Sequence, residues 1–263
     1  MRSETQRTGF LSPVTTGCIL LLCALCCAFP AYAATTKQSH IMTRPELESS
    51  RRDELAQRLR EITGWMNLHF DAQGVLRSGQ FISGGSGAAR ELLTAAASGE
   101  HLLVLEDASN RSDVVFCRVV AGRWTRDATA RPPVQIILID FADFAHVRGD
   151  RAALKSFNVG WGLLHEIAHV VHDANDAGGA GEVGECEKLI NAMRRECGMA
   201  ERAEYFYTLL PGLETTDFKT RFVRLAFEAR QPDTKRKQRY WIIWDARVVG
   251  EGETARRLTR QKR

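Results

Sequence analysis

The residues best suited to chemistry in this chain are His165, Glu166 and His169, which form an HExxH pattern. Two histidines four positions apart on a helix project from the same face, so their imidazoles can converge on one Zn²⁺ at about 2.0 to 2.1 Å. The glutamate between them points to the flank of the metal, where its carboxylate can take a proton from a metal-bound water and later pass it to a leaving amine. The pattern predicts a zinc-dependent hydrolase in which Glu166 is the general base.

The segment from 157 to 176 predicts a helix that turns these histidines toward a cleft. At about 100° per residue, the polar residues of the segment fall in one sector with His165. The opposite side is apolar, as expected of a helix packed on a core; its residues are Leu163, Leu164, Ile167, Ala168, Val170, Val171 and Ala174. A bare HExxH arises by chance in roughly one chain per hundred of this size. The clustering of the histidines is therefore the observation that favours zinc binding.

A catalytic zinc needs three protein ligands and one open position. His172 shares the helix face, but it lies about 10 Å from His165 along the axis, too far for one straight helix to offer three ligands; we expect it to line the cleft. A glycine-rich loop then leads to a second predicted helix with acidic first turns. We predict Glu185 as the third ligand, with Glu182 and Glu187 as alternatives. Each of these acids could instead only complement the helix N-terminus.

A further polar group could stabilise the oxyanion that develops during hydrolysis. The candidates are Tyr205, Tyr207, His172 and Arg195, and the sequence does not single out one of them. For Tyr205, a place in an aromatic core is the favoured alternative.

The elements that must position these residues are a mixture of helices and short strands. Apolar periodicity predicts a first helix from 46 to 68, with a buried stripe formed by Leu47, Leu55, Leu59, Ile62 and Met66. The glycine-rich patch at 83–87 lacks the lysine and hydroxyl of a phosphate-binding loop, so it predicts a turn before a helix at 88–97 and no nucleotide site.

Five β-rich runs are bounded by turn-forming residues. They predict strands at 101–105, 114–121, 134–139, 221–229 and 239–249. The last two predict a hairpin, with Trp241, Ile243 and Phe222 lining its buried face. The basic run from 256 to 263 predicts a solvated tail.

Composition is that of a globular protein, with 44% hydrophobic and 26% charged residues among 263. These values argue against a disordered chain and against a polytopic membrane protein. The net charge of +4 gives no argument for nucleic acid or an anionic membrane as partner. We expect a peptide or protein substrate and no nucleic acid; the sequence does not indicate an oligomeric state.

The N-terminus has the pattern of a secretory signal peptide. Arg2 and Arg7 precede an uncharged apolar run at 17–29, and the small-residue triplet 31–33 follows. The run is short for a membrane span of about 20 residues, so cleavage between Ala33 and Ala34 is favoured over a membrane anchor. We expect a secreted or periplasmic protein without stable membrane insertion.

These features predict four parts of the chain. They are a signal peptide at 1–33, a linker at 34–44, a catalytic domain at 45–210, and a C-terminal β-hairpin extension with a basic tail at 211–263, packed on the same domain. Beyond the signal remain Cys117, Cys186 and Cys197, an odd number that allows one pair and one free thiol. On one continuous helix Cys186 and Cys197 would be about 16 Å apart, so we predict no particular disulfide.

HEIAH followed by a glutamate from a second helix resembles the gluzincin arrangement of zincin metallopeptidases. The segment after the glycine-rich loop is also similar to small bacterial zincins that carry an N-x-x-R-R-E-x-G run and then an aromatic residue. Here these residues are Asn191, Arg194, Arg195, Glu196, Gly198 and Tyr205. The resemblance covers roughly residues 135 to 207. The metzincin pattern HExxHxxGxxH does not fit, because residue 172 is histidine and residue 175 is asparagine.

This resemblance implies an α+β, zincin-like fold in which a small mixed or antiparallel sheet lies beside the HExxH helix. It implies zinc held by two histidines and an acid from a second helix, and hydrolysis of a peptide bond. Peptide deformylase also uses HExxH, with a cysteine ligand, but its glycine-cysteine motif is absent around Cys117. The alternative of another class is a non-catalytic zinc-containing envelope protein that binds a partner. Glu166 argues against it, since structural zinc sites close with four ligands and need no base.

Overall fold

A computed structural model describes most of the chain beyond the predicted signal peptide. The described residues are 39–79, 81–109, 111–123, 133–210, 222–231, 234 and 236–249. They belong to one compact unit. The predicted signal peptide, the first part of the predicted linker and the predicted basic tail lie outside the described residues.

The main sheet has four strands, which are β1 (Ile41–Thr43), β4 (Leu102–Asp107), β5 (Cys117–Gly122) and β6 (Val134–Ile139). Their order across the sheet is β1-β4-β6-β5. The first three in this order run parallel, and β5 is an antiparallel edge strand on β6. The sheet is therefore mixed. Residues 41–43 of the predicted linker are a strand of this sheet.

Two helices precede the strand β4, namely α1 (Ser49–Thr63) and α2 (Gly87–Ser98). The apolar stripe predicted for α1 is buried at Leu47, Leu55, Leu59 and Ile62. The helix ends at Gly64, which adopts a left-handed conformation at φ 73°. The predicted extension to 68 was wrong, and Met66 is 61% exposed because it lies beyond this helix end.

The glycine-rich patch forms a turn that leads into α2, as predicted. Gly84 and Gly85 have positive φ angles of 66° and 68°, which favours glycine. The Oγ of Ser86 accepts a hydrogen bond from the backbone N–H of Ala89 at 3.0 Å and caps the helix.

The chemistry-bearing helices follow the strand β6. Two short helices, α3 (Phe141–His146) and α4 (Arg151–Lys155), lead into α5 (Val159–His172), and α6 (Gly184–Glu196) comes after a loop. Helix α5 packs against α1, α2, α6 and the strands β5 and β6. Its apolar side is buried, as the pattern predicts, at Leu163, Leu164, Ile167 and Ala168.

The C-terminal segment forms the predicted hairpin within a second sheet. Its strands are β7 (Arg148–Gly149), β8 (Glu201–Arg202), β9 (Thr208–Leu209), β10 (Phe222–Arg230) and β11 (Lys237–Asp245). Strand β10 pairs antiparallel with β11, β8 and β9, and β7 pairs with β11. A separate small hairpin joins β2 (His69–Phe70) and β3 (Leu76–Arg77).

The prediction that Trp241, Ile243 and Phe222 line the buried face of this hairpin was wrong. The structure buries Val223, Leu225, Phe227, Ile242 and Trp244. Successive side chains of a strand point to opposite faces, so choosing the wrong parity exchanges the whole set. Apolar residues occur on both faces here. The ring of Trp241, on the other face, lies 4.1 Å from the guanidinium carbon of Arg224, which covers it by a cation–π contact.

The described residues form a mixed α+β structure with small sheets, which agrees with the predicted fold class at this level. None of the helices in the described ranges is long and apolar enough to cross a membrane.

Candidate metal centre

The start and close packing of α5 determine where its histidines point. The Oδ1 of Asn158 accepts hydrogen bonds from the N–H groups of Gly160 at 3.0 Å and Trp161 at 3.4 Å, which caps the helix. A Cβ at Gly162 would lie 2.8 Å from the Sγ of Cys117 and 2.9 Å from a ring carbon of Phe144. Glycine at this position therefore lets α5 approach the strand β5 closely.

The two histidines of the HExxH pattern converge on one carboxylate oxygen. The Oδ1 of Asp176 lies 3.1 Å from the Nε2 of His165 and 3.4 Å from the Nε2 of His169. The two imidazole rings are 4.9 Å apart between centroids. Asp176 belongs to the loop between α5 and α6, where the chain reverses direction.

The opposite nitrogen of each ring has its own partner. The Nδ1 of His169 donates to the carbonyl oxygen of Ala174 at 2.6 Å. The Nδ1 of His165 lies 3.3 Å from the Oε2 of Glu187. In a neutral imidazole, a carboxylate or carbonyl that accepts a hydrogen bond from Nδ1–H keeps the proton on Nδ1 and leaves the lone pair on Nε2, which is the usual arrangement of metal-binding histidines.

Cys186 is the fourth potential ligand at this place. One donor atom each from His165, His169, Asp176 and Cys186 lies within 4.8 Å of all the others. The Cys186 side chain is buried, and its Sγ donates to the carbonyl oxygen of His165 at 3.2 Å. In the described residues, Cys117, Cys186 and Cys197 are all free thiols.

Two of the donor separations are compatible with ligands that share one tetrahedral metal ion. Two ligands at about 2.0 to 2.1 Å from a tetrahedral ion are about 3.3 to 3.4 Å apart. The two Nε2–Oδ1 distances of 3.1 and 3.4 Å are close to that value. Imidazole, carboxylate and thiolate are also the ligand types that zinc takes in proteins.

The charges of this cluster favour an ionised acid beside protonated imidazoles when no ion is bound. The hydrogen bond with Asp176 raises the pKa of His169 to about 10. Although burial opposes ionisation, hydrogen bonds with His165, His169 and Tyr205 hold the pKa of Asp176 below its usual range. A divalent cation would replace the two imidazolium protons as the partner of this carboxylate.

The acids predicted as the third ligand lie elsewhere. Glu185 is exposed, and its Oε2 accepts hydrogen bonds from the backbone N–H of Asn175 at 3.2 Å and from its side-chain amide at 3.4 Å. Glu182 is exposed on the loop before α6. Glu187 is buried behind His165, on the side of the ring away from Asp176. The acid that the structure brings to both histidines is Asp176, which the sequence analysis missed.

Glu187 lies in a buried network of charged groups. Its carboxylate is 1% exposed and contacts the guanidinium groups of Arg194 and Arg202. The Nη1 of Arg194 donates to the Oδ1 of Asn191 at 2.8 Å, and its Nε donates to the carbonyl of Ser156 at 3.0 Å. Although burial opposes ionisation, the two arginines hold the pKa of Glu187 well below its usual range. The N-x-x-R part of the run singled out in the sequence therefore supports the carboxylate behind His165.

Glu166 lies at the edge of the main sheet. Its Oε2 accepts a hydrogen bond from the backbone N–H of Val119 in β5 at 2.8 Å. The residue is 8% exposed, and burial raises the pKa of its carboxyl group although His165 and His169 oppose the shift. The carboxylate is thus held in place by the scaffold and is partly desolvated.

Tyr205 contacts both Asp176, in the loop between α5 and α6, and Arg202. Its hydroxyl hydrogen-bonds to Asp176, and its ring stacks on His165 with 6.2 Å between centroids. The guanidinium carbon of Arg202 lies 4.7 Å from the centre of the same ring. Burial, followed by this hydrogen bond, raises the pKa of Tyr205, so it remains a neutral donor.

The other predicted oxyanion donors are placed differently. Arg195 is on the surface and pairs with Glu201 at 2.6 Å. His172, at the end of α5, is outside the four-residue cluster. Tyr207 lines a cavity beside the site. Tyr205 is the candidate that contacts the cluster directly.

Comparison with known proteins gave no match to a family model, to a curated protein or to a solved structure.

Proposed function

We propose that this protein is a zinc-dependent metallohydrolase and that it hydrolyses peptide bonds. The observation that carries the proposal is the convergence of two Nε2 atoms on the Oδ1 of Asp176, while both Nδ1 atoms have other partners. The carboxylate of Glu166 beside the same histidines supplies a base.

The ligands in this proposal are His165, His169 and Asp176. Asp176 takes the place that the sequence analysis gave to Glu185, because it is the acid whose oxygen lies beside both imidazoles. Glu187 and the carbonyl of Ala174 orient the two rings from behind. Tyr205 orients Asp176 through its hydroxyl.

Zinc, when bound, supplies a Lewis acid that lowers the pKa of a coordinated water and polarises a carbonyl group. Glu166 then accepts one proton from the attacking water as the new C–O bond forms. The same carboxyl group returns that proton to the nitrogen of the leaving amine as the C–N bond breaks. Tyr205, kept neutral by burial, donates its hydroxyl proton to Asp176 and so holds that carboxylate in place.

A peptide suits the surroundings of Glu166. The N–H of Val119 bonds to Glu166 and therefore points away from the partner strand β6. In an antiparallel ladder this orientation alternates along the strand, so the N–H and C=O groups of Ala121 share the same outer edge. Such an edge can pair with the backbone of an extended peptide. This strand passes beside the helix that carries the general base.

The arrangement of sheet and helices supports the proposal of a zincin-like fold. A small mixed sheet lies beside the HExxH helix, and a second helix follows it closely, as the resemblance implies. The difference is the source of the acid. Here the second helix contributes the orienting Glu187, and the loop before it contributes Asp176.

Export is part of the proposal. The basic, apolar and small-residue regions of the first 33 residues are typical of a signal peptide. N-terminal sequencing of the protein recovered from the envelope fraction or the medium should begin at Ala34. An intact Met1 on the exported protein would contradict cleavage.

A second candidate is a non-catalytic zinc protein of the envelope that binds a partner. The observation that favours it is Cys186, whose sulfur lies close enough to the other three donors to complete a four-ligand, closed site. A closed site has no position for water. The carboxylate of Glu166 beside the same histidines argues for the open alternative, because a closed structural site needs no base.

The two candidates are separated by replacing Glu166. The exported form is purified with zinc, and metal content and peptide hydrolysis are compared between wild type, Glu166→Gln and the control Glu185→Gln. We expect all three proteins to bind zinc and only Glu166→Gln to lose hydrolysis, by about 10²-fold or more. Zinc binding by all three proteins with hydrolysis by none of them, wild type included, would favour the binding protein.

A further inference from the structure

A cavity opens beside His165, one of the proposed metal ligands, and beside Glu166. Its volume is about 210 Å³, and His165, Glu166 and Gly162 of α5 line one end. The remaining wall is mostly aromatic and contains Phe116, Phe144, Phe157, Trp161, Tyr207 and Trp244. The cavity therefore joins the general base to an apolar interior.

The aromatic wall is held together by Phe116. Its ring lies 5.1 Å from Phe144, 4.8 Å from Phe157 and 5.4 Å from Trp244, with edge-on or tilted geometry. Such contacts between four rings fix the shape of the wall. A ligand entering the cavity meets a preformed surface.

The backbone at Phe116 is strained in order to hold this ring. Its φ angle is 62°, a value rare for a bulky residue. The N–H of Cys117 donates to the carbonyl of Val115 at 2.8 Å, which closes a tight γ-turn around Phe116. Both backbone polar groups of Phe116 form hydrogen bonds. Its N–H donates to the carboxylate of Asp143 at 3.0 Å, and its carbonyl oxygen accepts from the N–H of Asp140 at 2.8 Å. Strain supported in this way is typical of binding sites.

The charged groups that line the cavity besides Glu166 are already partnered. Glu187 contacts Arg194 and Arg202. Arg202 also donates to the carbonyls of Glu204 and Tyr205, and Arg194 donates to that of Ser156. A charged side chain entering this space would lose its hydration without gaining an unoccupied partner. An apolar side chain has no such cost.

The volume indicates the size of the occupant. An apolar protein cavity of about 150 Å³ holds one benzene molecule. A cavity of about 210 Å³ is therefore large enough for one aromatic side chain and too small for a folded segment of peptide.

We propose that this cavity is the specificity pocket of the enzyme and receives an aromatic side chain of the peptide next to the bond that is cleaved. That the bound side chain flanks a cleaved bond rests on the proposed peptidase function. The binding preference itself rests only on the cavity and its wall.

The first test measures binding without chemistry. The probes are N-acetyl-phenylalanine amide and N-acetyl-alanine amide, titrated into the zinc-loaded protein and followed by ligand-observed NMR. The variant Val115→Trp places a large ring in the cavity wall, and Ile82→Trp adds the same ring at an exposed site outside the cavity. Circular dichroism and thermal unfolding check that each variant is folded.

We expect the phenylalanine probe to bind at least tenfold more tightly than the alanine probe to wild type and to Ile82→Trp. The difference should disappear in Val115→Trp. Equal binding of the two probes to wild type would overturn the inference, whether or not Val115→Trp folds. So would an undiminished preference in a folded Val115→Trp.

The second test measures cleavage of peptides that differ only in the residues flanking one bond, with phenylalanine, alanine, lysine or aspartate there. A preference for phenylalanine of tenfold or more in kcat/KM supports the inference. Cleavage without this preference would overturn the pocket and leave the peptidase in place. Aromatic probe binding without cleavage of any peptide would instead count against the proposed peptidase and leave the pocket's binding preference standing.

Discussion

The Nδ1 of His165 lies 3.3 Å from the Oε2 of Glu187, a carboxylate that is 1% exposed and is held by two arginines. This pair connects the HExxH helix to the buried charges of α6. It fixes the ring so that Nε2 faces Asp176. A metal ligand and the group that orients it thus come from different helices.

Replacing Glu187 by glutamine should weaken metal binding without removing a ligand. The neutral amide cannot neutralise the charges of the two arginines, and it accepts a weaker hydrogen bond from the Nδ1–H of His165. We therefore expect zinc affinity to fall about 10- to 100-fold. The unfolding free energy should fall by about 3 to 5 kcal/mol, because Arg194 and Arg202 lose a buried counter-charge. Competition with a zinc chelator measures affinity, and urea unfolding measures stability. Unchanged zinc affinity in folded Glu187→Gln would contradict an orienting role.

Asp176→Asn should abolish stable zinc binding, whereas Glu185→Gln should retain it. The first change removes the charged oxygen beside both imidazoles, and the second affects an exposed carboxylate that contacts Asn175. Metal content after dialysis against a weak chelator decides between them. Loss of zinc from Glu185→Gln and retention by Asp176→Asn would restore the assignment made from sequence.

Cys186→Ser should keep zinc binding and hydrolysis within about threefold of wild type, since in the proposed open site the thiol is not a ligand and donates to the carbonyl of His165. The wild-type protein loaded with cobalt should accordingly lack the near-ultraviolet charge-transfer absorption of a thiolate ligand. A strong thiolate band that disappears in Cys186→Ser would show a closed, four-ligand site and support the non-catalytic alternative.

Glu196 provides a prediction about pH that is independent of the metal. Its Oε2 accepts hydrogen bonds from the Oγ of Ser86 at 2.7 Å and the N–H of Ala88 at 3.1 Å, at the start of α2. These bonds hold the pKa of Glu196 below its usual range. A lowered folded-state pKa means that the stabilisation is present above the unfolded-state pKa and is lost as pH falls through the folded-state pKa.

We therefore expect Glu196→Gln to lower the unfolding free energy at pH 7 by about 0.3 to 1 kcal/mol, near the lower end because the carboxylate is exposed. The difference from wild type should shrink when urea unfolding is repeated below pH 4. Glu91→Gln, a substitution on α2 itself, serves as the control. A difference that grows on acidification would contradict the sign of this linkage.

The parts of the fold that depend on periodicity could be predicted from the sequence. The strand at 134–139, the helix α2, the hairpin and the two-sided character of α5 follow from repeating apolar positions and turn residues. The buried face of the hairpin could not, because both faces of β11 carry large apolar residues. Only the contacts of Trp244 with the rest of the core decide the parity.

Apolar periodicity did not predict Asp176 as the third ligand, for two reasons. Asp176 lies in an irregular loop, where spacing does not determine direction. Glu185 and Glu187 are two positions apart on α6, about 200° around the axis, so at most one of them can face the histidines. The buried positions Ile190, Asn191 and Arg194 follow Glu187 at intervals of three, four and seven. This pattern was available in the sequence and indicates Glu187 as the inward-facing acid.

The most direct test of the central claim is the metal content of the purified exported protein together with X-ray absorption at the zinc edge. We predict one zinc per chain, with two imidazole nitrogens and at least one carboxylate oxygen at about 2.0 to 2.2 Å, and loss of this signal in His165→Ala and His169→Ala. A folded protein that retains no stoichiometric transition metal when supplied with zinc would contradict the account.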